Sequence, residues 1–356
     1  MNKEQPETKL ATETSAVTSE NSGNLRTSLM RLVLGFQVSQ AISVAAQLNL
    51  ADLLKDQTRT DQELAEATGT NPVALYRVLR VLANVEVLDE VAPHRFALTQ
   101  IGQLLQKGVP DSVYTASLFF SSPRVWQVWQ DILYSVQTGE NATRHVFGVP
   151  TWEYYAQHPE EAPIFYNFMT ESSNQLAPLV AANYKFEGMQ VVADIGGAQG
   201  NMLAAILRAN SHLKGVLFDL PQVTQGANHF LEGVGVAERC EIVAGNMFSP
   251  WPFKADVYLI SRVIQDWADE QVIAILRNCR EAMEPTSKLV VVERILPEDK
   301  EAALLFLLSD LHMLVGVGGQ ERSLEEYQKL FQAAGLTYTR HIALNPSFCL
   351  IEAVRA

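Results

Sequence analysis

Cysteine is scarce in this chain of 356 residues: only Cys240, Cys279 and Cys349 occur. Three scattered cysteines exclude a disulfide framework or a cysteine-rich zinc site, and fit ordinary buried thiols in a reducing compartment. Basic charge is also short. Lys and Arg number 27 against 40 Asp and Glu, a formal net charge of −13. That balance argues against a general affinity for nucleic acid or an anionic membrane. No apolar run approaches the roughly 18–20 residues that span a bilayer. Residues 1–24 are rich in Thr, Ser and Glu, lack the apolar run of a signal peptide, and read as a mobile tail. These features point to a cytoplasmic protein. The richest apolar stretch, residues 302–317, is interrupted by Asp310 and His312 and reads as a buried helix. The Gly-Lys-Ser/Thr of a phosphate loop is missing, and so is the dinucleotide pattern G-x-G-x-x-G. No tight cluster of His, Asp and Glu suggests a metal.

What is present is 47% hydrophobic residues, enough for packed cores, and a length that suggests more than one domain. From residue 25 to 108 the pattern is helical. Residues 29–54 are apolar around most of the helix circumference, as in a helix buried against another subunit. Thr60 and Glu63 form a capping box, Gly69 ends that helix, and Asn71-Pro72 starts the next, with Leu75, Val78, Leu79 and Leu82 on one face. Residues 85–98 alternate like a short hairpin around Ala92-Pro93-His94. Helices followed by a hairpin make a winged-helix pattern, best known for binding DNA. Charge weighs against that use: eight bases and eight acids leave residues 25–108 neutral, without a basic stripe. Dimerisation or covering a substrate fits better.

Residues 109–185 are helical and aromatic, suited to lining a pocket for a flat ligand. From about 186 to 356, apolar strands alternate with helices: VVADIGG, GVLFDLP, CEIVAGNMF, DVYLISRVI and KLVVVERIL. This predicts an α/β domain with a parallel sheet covered on both faces, closed by the hairpin LTYTRHIAL and SFCLIEAVRA.

The segment Asp194-Ile195-Gly196-Gly197-Ala198-Gln199-Gly200 places glycines at a strand end, where the backbone turns sharply and approaches a ligand. Twenty-five residues after Asp194, Asp219 ends the second strand, where a carboxylate can hold both ribose hydroxyls. An acid before the turn suits a ligand with a cationic amino-acid end rather than a pyrophosphate, and S-adenosylmethionine (SAM) is such a ligand.

With DIGGAQG, FDLP, GNMFSPWP, SRVIQDW, VVVERILP and DLHMLVGVGGQERS in this order, the chain resembles the small-molecule O-methyltransferases of the caffeic acid and hydroxyindole type. The resemblance covers nearly everything after residue 24. It implies a Rossmann-like SAM-dependent domain at 186–356, a helical substrate-pocket region at 109–185 and an N-terminal winged-helix dimerisation domain at 25–108. A homodimer acting on a small aromatic or polyketide-like secondary metabolite follows. In the resemblance, Gly196 meets the methionine end of SAM and Asp219 the ribose. Asn246 and Met247 flank the adenine, which Trp267 covers. Ser261 and Arg262 lie beside the cofactor, and Met169, Ser173 and Asp266 face the acceptor.

The chain departs from the family at one chemical position. The resemblance places a histidine base just before Asp266-Trp267, and here Gln265 stands there. An amide donates and accepts hydrogen bonds but takes no proton near neutrality. Glu293 and Glu321 match the two acids that flank that histidine. Three readings stay open. Placement alone can drive transfer from a strong electrophile. His312 can serve as a displaced base that also meets the substrate. Or SAM is retained as an electrostatic element by a hydroxylase, decarboxylase or pericyclase. Ala198 replaces a loop glycine, tolerable if the backbone there is not left-handed. Asn246 replaces an aspartate, and its carbonyl remains an acceptor.

Overall fold

Local capping fixes the first helices. The Thr60 side chain accepts from Glu63 N–H (3.1 Å), and the Glu63 carboxylate accepts from Thr60 N–H (2.6 Å). This box opens helix Asp61–Thr68, which Gly69 ends in a left-handed conformation. Asn71 caps helix Pro72–Asn84 through Ala74 N–H at 3.0 Å. The computed structural model describes residues 19–297 and 299–356. The chain divides into two units, the second starting at Lys107. The stretch 1–18 of the expected tail lies outside the described residues, whereas Ser19 to Asn24 are helical.

In the first unit, helices Ser19–Val33, Gly35–Gln47, Leu50–Leu54, Asp61–Thr68 and Pro72–Asn84 accompany a small antiparallel sheet whose first strand lies between the third and fourth of them. Its strands β1 (Arg59–Thr60), β2 (Leu88–Ala92) and β3 (Arg95–Leu98) lie in the order β1-β3-β2. Leu50, Leu64, Leu79, Leu82 and Phe96 are sealed in one core. The apolar residues at this end do not join it: Leu25, Leu29 and Leu32 of the first helix and Phe36 of the second are exposed in the single chain.

The second unit begins with six helices between Tyr114 and Asn183, of which Ala162–Asn183 is the longest. Seven strands follow: β4 (Val191–Ile195), β5 (Lys214–Asp219), β6 (Cys240–Ala244), β7 (Val257–Ser261), β8 (Lys288–Arg294), β9 (Leu336–Ala343) and β10 (Phe348–Arg355). Their order is β6-β5-β4-β7-β8-β10-β9, parallel from β6 to β8, with β10 antiparallel to both β8 and β9. Two cores cover the two faces of the sheet. The connection order reverses at β4, so a crevice opens at the carboxyl ends of β4, β5 and β7.

Two expectations need correction. Helix Lys300–Gly316 is not buried in the single chain, because Leu304, Leu305, Leu307 and Leu308 face outward. Of the three cysteines only Cys279 is fully buried. Among the described residues, no single helix is long and apolar enough to cross a membrane.

The closing hairpin is tied down by Glu352, which is 6% exposed. It accepts from Tyr184 (2.7 Å), Thr339 (2.8 Å) and Arg340 (3.1 Å). Burial would raise its pKa, but these partners win and hold it down at about 2. The Glu352 charge thus contributes stability that is full above the ordinary carboxylate range and is lost as pH falls toward 2. Glu352→Gln is expected to cost about 2 kcal/mol at neutral pH, from weakened charge-assisted hydrogen bonds. Urea denaturation should show that deficit shrinking between pH 4.5 and pH 2.

Candidate active site

The turn after β4 is built for close approach. A Cβ on Gly197 would lie 2.6 Å from the Asp194 carboxylate, and one on Gly196 would lie 2.7 Å from Val263. Only glycines let this loop pack down and leave room above it. Asp194 sits beneath the loop, 1% exposed, with Oδ2 unpartnered. Burial, reinforced by the nearby Asp219, pushes its pKa up to about 7. Ala198 is left-handed, at φ +51°. The tolerance expected for its methyl group therefore fails, because an L-residue there is strained.

Asp219 ends β5 and is pinned by two backbone groups. Oδ2 accepts from Ala198 N–H at 2.9 Å and Oδ1 from Leu220 N–H at 2.7 Å. Each oxygen keeps another lone pair. Burial raises its pKa, and the two N–H groups oppose that. Beside it is a cavity lined by Phe218, Asp219, Leu220, Gly245, Asn246, Met247, Phe248 and Trp267. Phe248 and Trp267 meet edge to face, with ring centroids 4.9 Å apart. Asn246 Oδ1 already accepts from Phe248 N–H at 3.0 Å, so it holds its own turn and offers one remaining lone pair. The cavity is mostly apolar, with the Asp219 carboxylate in its lining. Its donors and acceptors fit a nucleoside: two lone pairs for ribose hydroxyls, rings and Met247 for a base.

The second part of the site is a set of charges at the ends of β7 and β8. Ser261 ends β7, and Arg262 follows in a left-handed conformation, φ +57°. The Arg262 guanidinium is buried. One nitrogen faces Met169 Sδ at 3.6 Å, while Nε and Nη1 have no partner. Burial and Arg294 lower its pKa to about 10, against the pull of Glu293 and Asp266. Met169 and Ser173 lie one turn apart on helix Ala162–Asn183, both half-buried.

Glu293, at 0% exposure, has a different task from the one its position implied. Its Oε1 accepts from the N–H groups of Val263 (3.0 Å), Ile264 (3.0 Å) and Gln265 (3.5 Å). Burial, Glu321 and Asp266 raise its pKa to about 8. Glu321 is spent on Ser309 (2.7 Å) and Arg294 (3.3 Å). Gln265 is buried, its Oε1 unpartnered, and its side-chain amide lies against the Asp266 carboxylate. The Gln265 carbonyl takes Gln320 N–H at 2.9 Å, and a Cβ on Gly319 would lie 2.0 Å from that carbonyl. Asp266 is half-buried. Burial raises its pKa to about 7, which Arg262 opposes and Glu321 assists.

His312 is packed edge-on to Phe119 and Phe120, and its Nδ1 accepts from the Trp129 indole N–H at 3.0 Å. Indole nitrogen only donates, so the ring must accept at Nδ1 and carry its proton on Nε2. Burial and Arg124 lower its pKa to about 4. Of the three open readings, the one with His312 as a displaced base gains no support from this geometry: Trp129 takes the Nδ1 lone pair and leaves Nε2–H to donate.

Three contributors are weakly signalled in the sequence. Trp129 is one aromatic among the many of residues 109–185. The glycine motif shows Asp194 but not its burial. Arg322, 1% exposed, carries Ile264 O (3.2 Å) and Trp267 O (2.7 Å); its only sequence signal was its place in the last motif. The ligand atoms of His158, Glu160 and Glu161 lie within 4.8 Å of one another, a grouping not foreseen from the sequence.

The chain matches the O-methyltransferase domain over residues 129–337 and the O-methyltransferase dimerisation domain over residues 30–108. It is 39% identical over 325 residues to the phenazine O-methyltransferase PhzM of Lysobacter antibioticus, covering 91% of this chain and 95% of that one. A crystal structure of CalO1, a methyltransferase in calicheamicin biosynthesis in its SAH-bound form, superposes with a TM-score of 0.81. It is 31% identical and covers 94% of this chain and 98% of that one. The aclacinomycin 10-hydroxylase RdmB of Streptomyces purpurascens is 34% identical over 309 residues, 83% of this chain and 80% of that one.

The strain at Ala198 is testable. Ala198→Gly should stabilise the fold by about 0.5–1 kcal/mol in chemical denaturation, since glycine relieves the left-handed penalty and gives part of it back as unfolded-chain entropy.

Proposed function

Since the chain belongs to the O-methyltransferase family, we propose that it transfers a methyl group from SAM to a hydroxyl of a small aromatic or polyketide-like secondary metabolite. The observation that carries this is the cavity beside Asp219, whose carboxylate is held by Ala198 and Leu220 with lone pairs to spare. SAM supplies an electrophilic methyl on a sulfonium. The chain's own residues do the rest. Asp219 would hold the ribose, Asn246 and Met247 would flank the adenine under Trp267, and Gly196 would admit the methionine end. Arg262, Ser261, Met169 and Ser173 would border the acceptor. His312 would donate from Nε2 to an acceptor oxygen, within a wall of Phe119, Phe120, Phe168 and Trp129. Glu293 and Glu321 would keep the turn at Gln265 rigid.

The dimerisation-domain match and the outward-facing Leu25, Leu29, Leu32 and Phe36 support a homodimer in which a second copy covers the first helix and the start of the second. The hydroxylase relative, together with glutamine at position 265, supports a second reading. In that reading the cofactor stays intact and its charge stabilises an anionic substrate.

Isothermal titration calorimetry should find SAM binding to the wild type. Asp219→Ala should weaken it by about 100-fold, the loss of two charge-assisted hydrogen bonds. Absence of wild-type binding overturns the reading. Mass spectrometry of incubations with 1-hydroxyphenazine, a hydroxynaphthoate and a catechol separates the two activities. A gain of one methyl supports transfer, and a gain of one oxygen supports the alternative.

A further inference from the structure

Methyl transfer from a sulfonium to a hydroxyl releases one proton, and the chain has no histidine at position 265 to take it. The surrounding titratable groups can be sorted by what their atoms already do. His312 spends its accepting lone pair on Trp129. Glu293 is sealed: its Oε1 is occupied by three backbone N–H groups, and its unpartnered Oε2 is buried. The Glu321 side chain is fully buried, with Oε1 engaged by Ser309 and Arg294 and Oε2 unpartnered but sealed. Asp194 lies beneath the glycine loop. Tyr327 is sealed and is a phenol, whose pKa burial raises further. Asp266 differs from all of them. It is half-buried, neither of its oxygens is among the sealed atoms, and no backbone N–H occupies its carboxylate. It follows Gln265 directly, lies against the amide of that side chain, and stands near Arg262, whose Nε and Nη1 are without partners.

We propose that Asp266 is the catalytic base of this chain, with Gln265 and Arg262 as the residues that position it. The inference rests on the methyl-transfer reading above. The acceptor oxygen bonds to the methyl carbon, the carbon–sulfur electron pair returns to sulfur, and the hydroxyl proton passes to an Asp266 oxygen. The neutral thioether and the protonated acid then part with their products. Glutamine at 265 is then a replacement with a function: beside the carboxylate that does the work, its neutral amide favours the ionised form. Arg262 on the same turn favours the ionised form of Asp266. Glu293 from β8 and Glu321 from the segment before helix Leu324–Ala333 oppose it, and Arg322 beside Glu321 is engaged with Asp269. Burial leaves Asp266 titrating near 7, where a base is both available and strong enough.

The test uses the full chain and the best acceptor of the panel. Asp266→Asn should lower kcat by about 100-fold or more, the usual worth of a general base, and leave the calorimetric affinity for SAM unchanged. In the wild type kcat/KM for SAM should rise with pH through about 7, and this limb should vanish in Asp266→Asn. Adding Gln265→His to Asp266→Asn should restore part of the rate by returning a base. Asp266→Glu, which keeps the acid, should retain more activity than Asp266→Asn. Wild-type turnover in Asp266→Asn with the pH limb intact overturns the proposal. A binding measurement decides it independently of turnover. In the complex with SAH, 1-hydroxyphenazine should show the absorbance of its ionised form with wild type and not with Asp266→Asn. If no acceptor is methylated, the methyl-transfer reading fails, and this ionisation alone rules for or against Asp266.

Discussion

The turn after β7 presents three successive backbone N–H groups, and one oxygen of a buried carboxylate accepts from all of them. Glu293 lies on β8, one strand away, so the contact is an agreement between neighbouring strand ends. Buried backbone donors must be paired, and a carboxylate is among the few groups that can take several at once. With this bond in place, Gln265, Asp266 and Trp267 have fixed directions. Arg322 holds the carbonyls of Ile264 and Trp267 from the other side. The short segment 263–267 is thus clamped by an acid oxygen on its donors and a cation on its acceptors. Trp267, which lines the cavity, and Asp266, for which the acceptor side is proposed, stand on one rigid turn. An acid spent in this way serves geometry, so its presence says nothing about whether an imidazole is nearby.

Much of the fold was legible because its signals are local. The Thr60–Glu63 box, the Asn71-Pro72 start and the strand sequence from Val191 to Ser261 each follow from residues within a few positions. The glycine turn and Asp219 were legible for a related reason: strand ends in a parallel sheet converge, so two motifs 25 residues apart meet without any long-range detail. What escaped was set by distant partners. Trp129 and His312 are 183 positions apart, and nothing in either segment indicates that the indole occupies the imidazole's lone pair. The outward face of helix Lys300–Gly316 escaped too. Its leucines read as core because sequence pattern does not distinguish burial in one chain from burial against another.

The backbone conformation of the glycine loop belongs to the same class. Whether Ala198 is tolerated depends on a φ angle that composition does not encode. The structure puts it at +51°, with its N–H donating to Asp219. That strain is held by the carboxylate on which a nucleoside would rest. The loop and the acid are thus one device, and loosening either loosens both.

The charges of the site are coupled as well. Asp194 and Asp266 both titrate near 7 in the free protein, chiefly because burial disfavours their ionised forms. Each lies at the carboxyl end of the central strands, where the proposed donor would bring a permanent positive charge. A cation arriving beside a buried acid lowers its pKa, and linkage makes the effect reciprocal. The ionised acid in turn binds the cation more tightly. On this reading the methyl donor prepares the base that its own reaction needs, and departure of the neutral thioether returns that base toward its protonated form. A histidine would shift in the same direction, because a nearby cation lowers the pKa of imidazolium as well. What a carboxylate adds is charge: its ionised form attracts the sulfonium, whereas a neutral imidazole does not. Replacing histidine by glutamine and leaving the work to a carboxylate therefore strengthens the link between a bound sulfonium and an ionised base.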